Sequence, residues 1–180
     1  KYGLYRADIY YAEHENGIWR SATPLDHILN SRFNEEILCF SSDGQEMYYR
    51  RNMIGNGADL MIDTFSVASR SNAKSTSLEP YQSRFGDKDL FFYNDTIMLF
   101  SSKRAGGYGG YDLYYAVKRK GKWRDAMNLG GMINSFYDDV SPLLSRNGRV
   151  LFFSSNRLES LGGLDIFSAT FVDSLVRWSM

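Results

Sequence analysis

The feature that most constrains this chain is that it repeats itself. "GGYDLYYAV", beginning at residue 109, returns as "GGLDIFSAT" at 162, with weaker copies at "GADLMIDTF" (57) and "RADIYYAEH" (6). Each copy holds an aspartate followed by apolar residues. These are Asp8, Asp59, Asp112 and Asp165, spaced by 51, 53 and 53 residues. Other segments keep the same register. "IMLFSSKR" (97–104) returns as "VLFFSSNR" (150–157), and "SSDGQEMYYRRN" (41–52) corresponds loosely to "SRNGRVLFFSSN" (145–156). Trp19 and Trp123 each stand 11 residues past their aspartate, Trp178 stands 13 past, and Asn30 and Asn134 stand 22 past. Self-similarity at a fixed period marks a supersecondary unit that stacks on copies of itself.

The best-kept copy shows what the unit is. "DVSPLLS" reads as a short apolar strand, "RNG" as a tight turn with Asn147-Gly148 suited to positive φ, and "RVLFFSS" as a second strand. "NRLESLGG" is a loop and "LDIFSATF" a third strand. The preceding copy adds "KRKGKW", a turn around Gly121, and a fourth strand from Trp123. The unit is therefore four short antiparallel strands in about 53 residues, without a helix. "NSRFNEEIL" has a helical look, but it aligns with "NSFYDDVSPLL" and is read as loop and strand. Aromatic residues make up 16% of the chain, a composition that suits pleated, packed surfaces.

One twisted four-stranded sheet cannot cover both of its faces. Radial stacking covers them, leaves only short edges, and makes the central strands continuously apolar, as "VLFF", "IMLF" and "DLFF" are. The expected fold is all-β: residues 1–180 as one partial β-propeller domain whose blades are keyed on Asp8, Asp59, Asp112 and Asp165. Four third-strand copies but only three hairpins before them give about three and a half blades, part of a larger ring or of one closed with another chain. An open arc of this kind leaves apolar blade faces bare. "SVASRSNAKSTSLEP" (66–80) lacks the expected Trp and is rich in Ser; it is read as a longer surface loop or a degraded outer strand.

Charge excludes some partners. Lys plus Arg is 21 and Asp plus Glu is 21, so the neutral chain offers no electrostatic case for nucleic acid or an anionic membrane. Cys39 stands alone, so no internal disulfide framework is possible. No apolar run is longer than "LYYAV", far short of a transmembrane helix, so no direct membrane insertion is expected. A start at Lys1 suggests a processed or trimmed chain, read as soluble, whose flanks hold the targeting information.

The stretch "RAGGYGGYDLYY" (104–115) invites a ligand-loop reading. Gly107-Tyr108-Gly109 opens a dinucleotide fingerprint, but Asp112 stands where the third glycine belongs and a strand pattern follows. A calcium loop needs several oxygen ligands, and this one supplies Asp112 alone. The loop is read as a connection between second and third strands, its glycines supplying positive φ. Arg104 opens it and Asp112 closes it; Arg157 and Asp165 repeat the arrangement. The expectation is an ion pair within each couple, or a carboxylate that accepts loop N–H groups. Asp165→Ala is then expected to lower thermal stability.

Glu35-Glu36 and Asp138-Asp139 stand in equivalent loops before an innermost strand, positions that face the channel of a propeller. Two carboxylates could serve glycoside hydrolysis, but recurrence with the blade favours a turn or strand cap. His14 and His27 share no ligand spacing and Cys39 lies in an apolar strand, so neither a metal site nor a cofactor is expected. There is no G-x-S-x-G, and the serines of "FSS" recur at strand ends. No residue is assigned a catalytic role. Tyr108, Tyr111, Arg104, Asp138 and Asp139 are the candidates for contacting a partner protein.

One blade, through Asp139, Pro142, Ser145, Asn147, Gly148, Ser154, Ser155, Arg157, Gly162, Gly163 and Asp165, resembles the TolB-type, WD-like propeller repeat of bacterial envelope proteins. The likeness spans nearly the whole chain, although 60–90 fit poorly; Asp43-Gly44 keeps the usual turn, and Asn94-Asp95 loses its glycine. In that family such propellers often precede an OmpA-like peptidoglycan-binding domain, and some belong to the peptidoglycan-anchored part of the type IX secretion apparatus. The resemblance implies a non-enzymatic, protein-binding scaffold in the periplasm or outer-membrane-associated envelope, touching peptidoglycan only through a domain outside this chain. It carries over no catalytic residue. The alternatives are the regulatory propeller of a prolyl-oligopeptidase-like peptidase, or a carbohydrate-binding or carbohydrate-active propeller.

Overall fold

The computed structural model describes residues 7–25, 29–53, 57–64, 74–75, 78–172 and 177–179. His27 and most of 66–80 lie outside these residues, as do the side chains of Asp59 and Trp178. The chain divides into two compact units, 1–76 and 77–180.

The first unit begins with half a blade. β1 (Tyr10–Tyr11) pairs with β4 (Thr23–Pro24), and β2 (His14–Glu15) with β3 (Ile18–Trp19). His14 is thus in a strand, its ring 4.9 Å from that of Trp19. A full antiparallel blade follows: β5 (Asn34–Phe40), β6 (Glu46–Met53), β7 (Gly57–Thr64) and β8 (Lys74–Ser75), in that order. "NSRFNEEIL" therefore enters a strand. Within 66–80, the described β8 is an outer strand of only two residues.

The second unit holds two blades. One runs β9 (Lys88–Asn94), β10 (Ile97–Ser102), β11 (Asp112–Arg119), β12 (Lys122–Trp123), with β13 (Met127–Asn128) also on β11. The fourth strand expected from Trp123 is thus broken in two. The other blade runs β14 (Asp139–Leu144), β15 (Val150–Ser155), β16 (Asp165–Val172), β17 (Arg177–Ser179).

Register shows how closely the copies agree. Tyr10↔Pro24, Tyr11↔Thr23, His14↔Trp19 and Glu15↔Ile18 recur 104 residues later as Tyr114↔Asn128, Tyr115↔Met127, Lys118↔Trp123 and Arg119↔Lys122. The turns agree too. Asn16-Gly17 and Lys120-Gly121 all have φ between 51° and 81°, the two left-handed residues that a tight hairpin matched to strand twist requires. Asp112 and Asp165 share one sheet position, opposite Ser102 and Ser155, whereas Asp59 stands opposite Arg51, the counterpart of Arg104, and lies off that position.

Each unit has its own core. In the second, Leu99 and Leu113 of one blade meet Ile133, Leu151, Phe153 and Ala169 of the next. In the first, Ile9, Leu29, Met47, Tyr49 and Met61 form the corresponding cluster. Burying each such large side chain is worth about 1.5–3 kcal/mol, which is what holds blade to blade.

Candidate interaction face

In each full blade an arginine at the end of the second strand meets a carboxylate at the entry to the first, a lock built once in the first unit and twice in the second. Arg51 meets Glu35 at 3.0 Å, Arg104 meets Asp87 at 2.6 Å, and Arg157 meets Asp139 at 2.6 Å. All three carboxylates are buried. Each guanidinium also donates to a backbone carbonyl: of Leu29 (2.9 Å), Pro80 (3.1 Å) and Ile133 (2.6 Å). Each carboxylate also accepts a backbone N–H from the preceding loop, of Ser31, Gln82 and Ser135. Charges taken this far from water need such partners, yet Glu35 Oε2 and Asp87 Oδ1 are buried without a hydrogen bond among the described residues. Burial pushes the Asp87 carboxyl up, opposed by the Ser102 hydroxyl, the Gln82 N–H and Arg104.

This corrects the expected pairing. Arg104 and Arg157 do not pair with Asp112 and Asp165 but with Asp87 and Asp139, across the blade's first two strands. The third-strand aspartates instead accept loop N–H groups, the other arrangement the spacing allowed. Asp112 takes those of Tyr108 (2.6 Å) and Gly109 (3.2 Å) plus the Asn128 amide (2.8 Å); Asp165 takes that of Leu161. Asp8 is exposed. Sequence reasoning missed the carboxylates' common role. The signal was there: "SRFNE" (31–35), "SRFGD" (83–87) and "SFYDD" (135–139) recur 52 residues apart.

The carboxylate pairs are also one residue out of step. Glu35 corresponds to Asp139, and Asn34 to Asp138. Asn34 accepts the Ala7 N–H at 3.0 Å as Asp138 accepts the Tyr111 N–H at 2.8 Å. Glu36 pairs instead with Arg50. Asp139 is therefore inside the fold, and Asp138 spends an oxygen on the backbone.

The glycine loop is also explained differently. Of its four glycines only Gly106 has positive φ, at 91°. The others stand where a side chain would collide. A Cβ on Gly107 would lie 2.6 Å from Asp112 Oδ2, and one on Gly109 would lie 2.5 Å from the Tyr137 carbonyl oxygen; one on Gly110 would strike the Asp138 carboxylate. The loop is a seat for the next blade's entering backbone.

Tyr108 is half exposed, its ring against Gly131. Tyr111 lies under two ammonium groups, those of Lys88 (4.2 Å) and Lys103 (4.3 Å). Nearby, Arg84 covers Phe85 at 4.8 Å, and Phe136 is 83% exposed. Asp89 and Ser141 have a φ of 55° at bulges of the innermost strands, where the Ser141 N–H donates to Asp89 at 3.2 Å. Cys39 sits in β5 with burial pushing its thiol up to about 12. Among the described residues no group of His, Cys, Asp and Glu has the makings of a metal site.

No family model and no curated protein sequence matches this chain. Solved structures do. TolB from Acinetobacter baumannii superposes with a TM-score of 0.57 at 15% identity, over 99% of this chain and 38% of that one. The GH43 endo-arabinanase from Bacillus licheniformis superposes with a TM-score of 0.53 at 12% identity, over 100% of this chain and 70% of that one. Both are β-propellers, and at these identities the likeness establishes the propeller fold alone. The chain spans a little over a third of the TolB chain it matches.

Proposed function

We propose that this chain is a non-catalytic propeller scaffold that binds a protein partner in the bacterial cell envelope, on the periplasmic side of the outer membrane. One observation carries the reading most. The strand-entry carboxylates Glu35, Asp87 and Asp139, which could have served acid–base chemistry, are each buried and committed to an arginine and a backbone N–H. What the second unit offers outward beside its two locks is aromatic and cationic: Tyr108, Phe136, Arg84 and the lysines over Tyr111. Such groups are common anchors in protein interfaces. The resemblance to envelope propellers supports the location. It also supports a finer reading, membership of a peptidoglycan-anchored, secretion-associated complex of the type IX kind, with peptidoglycan held by an OmpA-like domain elsewhere.

The arabinanase neighbour keeps a carbohydrate-active reading as the alternative. That reading needs two carboxylates free to face a sugar. The test is cross-linking of the full-length tagged protein in envelope fractions, run beside a glycan array and a polysaccharide hydrolysis screen. The scaffold reading expects a specific protein cross-link lost when Phe136 and Tyr108 are changed to Ser, with blank glycan results. Hydrolysis or glycan binding without a protein cross-link would overturn it.

A further inference from the structure

Inside the second unit, packing of one blade on the next leaves a volume unfilled. It is a cavity of about 640 Å³, within the range of about 300–1,000 Å³ that small-molecule sites occupy. Tyr93, Leu99, Tyr115 and Leu129 wall it from one blade, Leu144 and Phe171 from the other. Leu99 is 3% exposed and belongs to the core that joins the two blades, so the cavity reaches down to that core. Ile97 also lines it and stands at the start of β10, a strand's length from Arg104 and its lock.

Both walls are fixed where they stand. From the innermost strand, Tyr93 Oη donates across the blades to the Arg146 carbonyl at 3.2 Å. It also touches the next turn, where a Cβ on Gly148 would lie 2.8 Å from it. At the outer strand the Asn128 amide donates to Asp112 at 2.8 Å, and its oxygen accepts from the Gly130 N–H and the Asn134 amide, each at 2.8 Å. The space is therefore preformed, as small-molecule sites usually are.

Its chemistry is narrow. Among the described residues no charged side chain lines it, so a carboxylate or ammonium head would meet no counter-charge. Three polar side chains do line it. Those of Tyr93 and Asn128 are committed as above. Tyr115 is half-buried, and its hydroxyl makes no hydrogen bond among the described residues. A sugar or a nucleotide held here would bury most of its polar groups unpaired. Tyr93, Tyr115 and Phe171 instead present three aromatic rings, and ring packs on ring more favourably than its area alone explains.

We propose that this cavity binds a small, uncharged aromatic molecule whose single polar group meets the Tyr115 hydroxyl. The probe is 4-phenylphenol, added to the full-length protein with its Leu methyl groups isotopically labelled. Saturable ring-current shifts are expected at Leu99, Leu129 and Leu144, with half-saturation below about 100 μM. Tyr115→Phe should keep the melting temperature and weaken binding about fivefold, the loss of one hydrogen bond. Ile97→Trp puts a large ring into the cavity and should abolish the shifts. Should that variant fail to fold, Tyr115→Phe carries the test. No saturable shift by about 1 mM probe overturns the proposal. So does binding indifferent to Tyr115→Phe. Shifts at the same methyl groups from hexadecanoate, arabinobiose or a tryptophan-containing peptide, with 4-phenylphenol silent, assign the cavity to another class of ligand and also overturn it.

Discussion

Asn134 holds Leu113 by both of its backbone groups, as a neighbouring strand would, while its Nδ2 also donates to Asn128 Oδ1 at 2.8 Å. The side chain substitutes for a strand at the point where the fourth strand has turned away. Asn30 repeats the grip on Ile9. Asn134→Ala leaves the buried Leu113 N–H without a partner, at about 1–3 kcal/mol, while the Leu113 C=O keeps the Leu129 N–H at 3.0 Å. A fall in melting temperature of roughly 2–12 °C is expected, measured by calorimetry. An unchanged transition would mean that the grip contributes nothing.

Arg157→Ala strands the fully buried Asp139 carboxylate and frees the Ile133 carbonyl. Breaking a buried pair on one side costs about 3–5 kcal/mol, so the chain should unfold at clearly lower denaturant. Arg157→Lys should restore only part of this, because an ammonium lacks the second nitrogen, Nε, that donates to the Ser155 hydroxyl while Nη2 reaches Asp139 and Ile133. Full rescue by lysine would show that charge alone matters.

Asp112 accepts three hydrogen bonds and Asp165 is seen to accept one, from Leu161 in an exposed loop. At about 1 kcal/mol per bond, Asp112→Ala should cost several times what Asp165→Ala costs. Parallel urea titrations decide it. Equal midpoints would place the weight of the motif in the repeat position and not in the bonds.

The two glycine pairs should respond oppositely to one methyl group. Gly109→Ala drives a Cβ to 2.5 Å from backbone atoms of Phe136 and Tyr137, which cannot yield cheaply. Gly162→Ala meets nothing within 4 Å in this chain. Thermal melts should show a loss of about 1–3 kcal/mol for the first and almost none for the second.

Cys39 gives a chemical readout of folding. With its thiol pushed up to about 12, only about one molecule in 10⁴ is thiolate at pH 8. Iodoacetamide should modify the native chain slowly and the urea-unfolded chain fast. Comparable rates in both would mean that β5 opens readily.

By itself the sequence determined the strands, the turns and the unit. Alternation, the glycines after Asn16, Lys120 and Asn147, and the aspartate register are local facts, and backbone sterics act locally. Hence Asp112 and Asp165 fall at one sheet position, as their spacing required, although Asp59, opposite Arg51, does not. Only the tertiary structure decided which charges meet. A repeat aligns Arg104 with Arg157 and Asp112 with Asp165, but it says nothing of which repeated row lies beside which. Strand pairing brings the second-strand arginine to the first-strand carboxylate, and the loop N–H groups reach the third-strand aspartate first. The same holds for burial. Leu113 and Ile166 are the same residue of the repeat, and they differ because one is covered by a blade and the other is not.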